Sequence, residues 1–216
     1  MKPGQRCGAQ QELASEIRAS AFRMNAMVNN LLDMARLEAG AIPMRCEWQP
    51  LEEVVGSALA ACSMSLVGRP IRVDLPADLP LLHLDAVLFE RVLVNLLENA
   101  VKYTQAGSAI SLSAQVSATQ VTLWIDDQGP GLPTGREDSL FEKFERGVKE
   151  SATSGVGLGL AISRAIVQAH QGSIHAENRI GPHGVEGARF TIELPRGTPP
   201  SDDGSWRSPQ VETGQV

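Results

Sequence analysis

One helix constrains the fold of this chain more than any other segment. The stretch RVLVNLLENAVKYTQAG, Arg91 to Gly107, has helical periodicity and two unlike sides. At about 100° per residue, Leu93, Leu96, Leu97, Ala100 and Val101 form an apolar face. Arg91, Asn95, Glu98, Asn99 and Lys102 fall in one polar sector about 100° wide. A helix of this kind must bury its apolar face on another layer, here a sheet. The two asparagines need a reason of their own, because a mid-helix Asn amide competes for backbone hydrogen bonds.

The flanking segments supply that sheet. MRCEW reads as a short strand, and Pro50 opens the helix LEEVVGSALAAC at a first-turn position where its missing N–H costs nothing. IRVDL alternates as a strand should, and Asp85 can cap the helix running to Tyr103. AISLSAQV and VTLWIDD alternate and are joined by SATQ, a hairpin signal. The loop DQGPGLPTGRED, a short helix SLFEKFERG, the glycine-rich VKESATSGVGLGL and the helix LAISRAIVQAHQG follow. Two last strands, SIHAEN and ARFTIELP, are separated by the turn-rich RIGPHGVEG. The order β-α-β-β-α-β-β-(short α)-α-β-β predicts a two-layer α/β sandwich with a largely antiparallel or mixed sheet.

Ahead of this domain, residues 11–40 read as one long helix that ends at Gly40. Ile17, Met24 and Leu31 recur every seven residues with Ala21, Val28 and Ala35 between them, a coiled-coil-like stripe. No other segment repeats the heptad, so the stripe is expected to pair with a helix outside this chain or with a second copy. The domain reading is therefore a disordered start at 1–10, the helix at 11–40, the folded domain at 41–195 and a Pro/Ser/Gly-rich disordered tail at 196–216.

A net charge of −6 argues against general nucleic-acid binding. Cys7, Cys46 and Cys62 lack any CxxC spacing and read as free thiols in a reducing compartment. No apolar run approaches the ~18–20 residues that span a bilayer, so a soluble cytoplasmic domain is expected, one that could form the end of a larger protein.

The polar sector carries chemistry. An amide oxygen is a neutral, hard ligand suited to Mg²⁺, which takes most of its oxygens from phosphates and water. Asn95, Asn99 and Lys102 thus read as a ledge for Mg²⁺ and a nucleotide, with Lys102 a point charge for phosphate. Asp127 closes a strand and precedes Gly129 and Gly131; its carboxylate can accept from an exocyclic amine such as that of adenine. Gly155, Gly157 and Gly159 precede a helix whose first N–H groups form an anion site. No GK[ST] occurs, and the glycines do not follow a strand, so P-loop and dinucleotide-binding readings are disfavoured.

NLLENAVKYT, DQGPGLP, LFEKFERG and GVGLGL, in that order, resemble the N, G1, F and G2 boxes of sensor histidine kinases with their Bergerat-type ATP-binding fold. The likeness extends from about Gln11 to Pro195. NNLLDMARLEAG, EWQPLEEVVGSAL and LFERVLVNLLENAVKY are similar to the potassium-responsive branch of that family. The resemblance implies ATP and Mg²⁺ as ligands. It implies Asn99 on the metal with Asn95 assisting, Lys102 on phosphate, Tyr103 beside the nucleotide, and Asp127 on the adenine amine with Gly129 and Gly131 shaping its pocket. It further implies Phe141 and Phe144 anchoring a lid (or simply packing in the core) and Arg146 near the terminal phosphate. Gly155, Gly157, Leu158, Gly159 and Leu160 would form the hinge and phosphate cradle. The long first helix resembles the second helix of a dimerisation and phosphoacceptor hairpin.

Two departures qualify that likeness. The acceptor box HxLRTPL is missing, and His83, His170, His175 and His183 all lie in the second domain and read as structural. The family's ATP-hydrolysing members carry Glu four residues before the metal Asn, where this chain has Asn95. An amide cannot take a proton near neutral pH, which favours phosphoryl transfer over water activation. The expected function is the ATP-binding catalytic portion of a histidine kinase that serves its own phosphoacceptor hairpin. A homodimeric parent anchored in the inner membrane and a response regulator are the implied partners. The alternative is a non-catalytic, nucleotide-gated interaction module.

Overall fold

The computed structural model describes residues 44–142, 157–182 and 184–199, together with Ile17, Arg18, Ser20, Ala21, Met24 and Val28. Those six are helical, and Ile17, Met24 and Val28 are exposed. The rest of the expected 11–40 helix lies outside the described residues, as do Phe144, Arg146, Gly155 and His183.

The elements are β1 (Glu47–Gln49), α1 (Leu51–Ala61), β2 (Ile71–Asp74), β3 (Leu82–Leu84), α2 (Ala86–Tyr103), β4 (Ile110–Val116), β5 (Gln120–Asp126), a 3-10 turn (Ser139–Phe141), α3 (Gly159–Ala169), β6 (Ser173–Gly181) and β7 (Gly184–Pro195). Five strands form one sheet in the order β2-β4-β5-β7-β6, and β1 pairs with β3 separately. Only β2–β4 is parallel; the other three pairs of the large sheet are antiparallel. The fold is the expected α/β sandwich with a mixed sheet, one layer of helices on one face.

Alternation decides which strand residues meet the helices. Val121, Leu123 and Ile125 of β5 are buried, as are Ile110 and Leu112 of β4 and Phe190, Ile192 and Leu194 of β7. They form one core with Phe89, Val92, Leu93, Leu96 and Leu97 of α2 and Ile162, Ile166 and Val167 of α3. Each large apolar side chain so buried contributes roughly 1.5–3 kcal/mol. The intervening strand residues Thr122, Trp124, Arg189 and Glu193 are only partly covered.

Asp85 caps α2 as expected: its Oδ1 accepts from the Val87 and Leu88 N–H groups, each at 3.1 Å. Its backbone N–H donates to His170 Nε2 at 2.9 Å, and His170 Nδ1 lies 2.8 Å from the Ile166 carbonyl. A backbone N–H can only donate, so Nε2 is the acceptor and Nδ1 carries the proton. His170 is a buried tie between the start of α2 and the end of α3. Cys62, at the end of α1, is also buried, and burial with the nearby charges of Glu98 and Glu90 pushes its thiol up to about 11.

Two local expectations are corrected, and the helix expected at SLFEKFERG lies mostly outside the described residues. Pro50 sits at the N-cap of α1 with extended geometry (φ −70°, ψ 124°), one residue ahead of the first turn. Of SLFEKFERG, only a 3-10 turn at Ser139–Phe141 is described. RIGPHGVEG is not simply a turn: β6 and β7 stay paired out to Gly181↔Gly184, with a register shift at Arg179/Ile180. Gly184 (φ +112°) and Gly187 (φ +147°) adopt backbone conformations that other residues reach only under strain.

One glycine has no such excuse. Gly56 is exposed in mid-α1, and a Cβ built there would meet nothing within 4 Å. Gly56→Ala is expected to stabilise the protein by about 0.5–1 kcal/mol through helix propensity and a less flexible unfolded chain. Thermal denaturation checks it, and a lower Tm would contradict it.

Candidate functional site

The predicted site residues gather along α2. Midway along the helix Asn95 Nδ2 donates to the Gly159 carbonyl at 3.2 Å and to Ser163 Oγ at 3.3 Å. The Ser163 hydroxyl in turn donates to Gly159 O at 3.0 Å. These bonds dock the first turn of α3, with Leu158 buried beneath it and Leu160 half-buried, onto the Asn95 turn of α2. Gly157 just ahead has φ +71°.

At the C-terminal end of α2 the loop after β5 closes in. A Cβ on Gly129 would lie 3.0 Å from Tyr103 O and 3.2 Å from Thr104 Cγ2. The eight-residue rise from Asn95 to Tyr103 spans about 12 Å. Asn99, half-buried, lies midway, and among the described residues nothing hydrogen-bonds its amide. Asn95 and Asn99 thus differ: the Asn95 Nδ2 is spent on α3 and only its Oδ1 is unengaged, whereas among the described residues the Asn99 amide takes no hydrogen bond at either end. Lys102 lies against Tyr103, with Nζ 2.8 Å from the phenol oxygen and 4.7 Å from the ring centroid. Glu98 leaves the polar sector for the α1 side, where its charge acts on Cys62.

Asp127 is 5% exposed, and its Oδ1 accepts from Gly129 N at 2.8 Å and Ala188 N at 3.1 Å. Oδ2 takes neither bond. Burial raises the carboxyl above its ordinary range, opposed by those two N–H donors and by the Arg179 guanidinium; the charge of Asp126 adds to the rise. Asp126 is itself held by Arg189 through two bonds of 2.7 Å.

The glycines here are required by close contacts within the protein. Gly129 is crowded by Tyr103 and Asp127, and a Cβ on Gly131 (φ +79°) would collide with Asn178 Oδ1 and Val185 Cγ1. Phe141 is 3% exposed, packs edge-on to Phe190 at 6.4 Å, and carries the Arg164 guanidinium 4.4 Å over its ring. Phe141 is thus packed in the core, and the segment it is expected to anchor lies outside the described residues.

Sequence reasoning missed four supports. Arg69 donates to the Val101 and Thr104 carbonyls and caps the end of α2. Ser163 holds Asn95, Asn178 holds Leu132, and Gly187 lies against Asp127 O. Only Gly187, a glycine in a strand, carried any local signal.

Among the described residues no three His, Cys, Asp or Glu side chains are grouped to hold a metal. The Asn99 amide oxygen is a hard, neutral donor of the kind that suits an ion keeping mostly phosphate and water oxygens. An open amide at mid-helix, a helix N-terminus at one end and a buried carboxylate at the other fit a magnesium nucleotide.

Residues 84–198 match the model of the histidine kinase-, DNA gyrase B-, and HSP90-like ATPase family, and the chain belongs to that family. Within it, this is a histidine kinase ATPase domain homologous to sensor kinases. Over 187 residues (87% of the chain) it is 53% identical to Sensor protein KdpD of Escherichia coli strain K12, of which it covers 20%. It is 31% identical to the adaptive-response sensory kinase SasA of Synechococcus sp. over 86% of the chain and 49% of that protein. The crystal structure of full-length ShkA in complex with AMPPNP superimposes with a TM-score of 0.73 at 27% identity, over 88% of this chain and 39% of that one. The chain thus spans about a fifth to a half of the relatives it matches.

Proposed function

We propose that this domain binds Mg–ATP along α2 and holds the γ-phosphoryl group for in-line transfer to a histidine on a phosphoacceptor hairpin. The observation that carries the reading is the docking of two separate segments on the C-terminal half of α2, one at Asn95 and one at Tyr103, with the Asn99 amide between them. Bound Mg²⁺ would neutralise phosphate charge. Asn99 would hold the metal, Lys102 a phosphate, and Asp127 the exocyclic amine of the base. Asn95 works as a clamp on α3 and cannot act as a base, which supports phosphoryl transfer over hydrolysis. Arg146, outside the described residues, is proposed for the terminal phosphate. Phosphate would pass on to an aspartate of a response regulator, KdpE-like if the parent is KdpD-like. Such a parent would be a homodimer in the inner membrane under potassium control.

Titration with a non-hydrolysable ATP analogue tests the binding. Asn99→Ala is expected to weaken it about 10-fold with Mg²⁺ present and little with EDTA. Equal losses in both conditions would remove Asn99 from the metal. Supplying an acceptor-hairpin polypeptide with ATP tests the transfer: phosphohistidine on the hairpin supports the kinase, and nucleotide binding without transfer supports the interaction module.

A further inference from the structure

The base end of the site is shaped from behind, by the β6–β7 hairpin. Asn178, in β6, uses both ends of its amide on one residue of the glycine loop: Oδ1 accepts from Leu132 N at 2.6 Å, and Nδ2 donates to Leu132 O at 3.0 Å. This is a backbone-like pairing made by a side chain, 46 positions away in sequence. It is tight because Gly131 has no Cβ: one would overlap both Asn178 Oδ1 and Val185 on the facing strand. The next residue on β6, Arg179, donates to the Asp127 carbonyl at 3.2 Å, and Ala188 on β7 donates to Asp127 Oδ1. Loop and carboxylate are therefore registered to the same two strands.

We infer that Asn178 is a positioning residue for base recognition: by clamping Leu132 it holds the Asp127–Leu132 loop at the spacing from Asp127 that a purine edge requires. The inference rests on the nucleotide reading of the site. Two hydrogen bonds fixed before the ligand arrives lower the ordering cost of binding, and their loss is felt as affinity. An effect at the base end also has a signature that an effect at the metal end lacks. It falls equally on ATP, ADP and adenosine and does not depend on Mg²⁺.

The test measures affinities of the intact protein, well below its Tm, for adenosine, ADP and an ATP analogue, each with Mg²⁺ and with EDTA. Asn178→Leu, which removes both bonds, is expected to weaken all three by a similar ~10-fold in either condition. Asn178→Asp, which keeps only the acceptor for Leu132 N, is expected to lose part of that, so that affinity orders as Asn, Asp, Leu. Should Asn178→Leu fail to fold, the Asp variant and the hydrogen exchange of the Leu132 amide decide. Faster exchange together with weaker adenosine binding supports the inference. A lower Tm with unchanged adenosine and ATP-analogue affinities overturns it and leaves Asn178 a purely structural clamp. A loss confined to the Mg²⁺ arm overturns it as well. If the unaltered protein binds no adenine nucleotide, the functional reading itself fails, and the inference with it.

Discussion

Asp127→Asn is expected to weaken binding of an ATP analogue by about 10- to 100-fold while leaving the unliganded protein at least as stable as before. The two effects separate because the carboxylate has two oxygens with different duties. An asparagine Oδ1 can accept from Gly129 N and Ala188 N as the aspartate does, so the loop keeps its anchors. The second oxygen becomes an NH₂, which opposes the exocyclic amine of adenine donor to donor. An inosine nucleotide, whose C6 carbonyl oxygen accepts at that position, should lose much less. The stability side follows from burial, which raises the folded-state pKa of Asp127. A raised folded pKa means the folded protein holds the proton more tightly than the unfolded chain. That contribution is fully present below the ordinary carboxylate range and is lost as pH rises through the raised value. At neutral pH the ionised carboxylate therefore opposes folding, and the amide does not. The Tm of the variant relative to the parent should grow from acidic to neutral pH. An Asn variant that binds the ATP analogue as tightly as the parent would remove Asp127 from base recognition.

Gly187→Val is expected to be the most destabilising single change in the sheet. A Cβ at Gly187 would stand 1.9 Å from the Asp127 carbonyl oxygen and 2.8 Å from its carbon. Both partners are backbone, so no rotamer change relieves the overlap, and φ +147° is unfavourable for any side chain. The strand must move away, which breaks Asp127 N to Ala188 O at 3.0 Å together with the Ala188 bond to the carboxylate. A loss of roughly 3 kcal/mol or more, about 10 °C in Tm, is expected. Gly135→Ala is the matched control: it shares a positive φ of +78° but meets nothing within 4 Å, so its cost should stay near 1–2 kcal/mol. A Gly187 variant as stable as that control would contradict the close approach.

The segments were legible where one stretch of chain carries its own periodicity or cap. The two faces of α2, the Asp85 cap, the alternation of β4 and β5 and the mixed α/β architecture follow from neighbours within about four positions, where helix and strand geometry is local. The carboxylate at the end of β5 and the amides on α2 were likewise visible as chemistry waiting for a site. The paired continuation of β6 and β7 through RIGPHGVEG was not, because its glycines read locally as a turn and only the facing strand makes them a hairpin.

Tertiary structure alone decided how those parts are spaced. Asn95 turned out to hold α3, a partner 64 positions on, and Gly129 and Gly131 are required by close contacts with Tyr103, Asn178 and Val185. Asn178, Ser163 and Arg69 have no local pattern, since a hydrogen bond across 32 to 68 positions leaves no period in the chain. The sequence by itself determined which elements form and which side of each is buried, because those are set by short-range sterics and hydrophobic alternation. Which amide is tied to a neighbouring helix was decided only when distant strands and helices closed on one another, because hydrogen-bond partners are assigned by proximity in space.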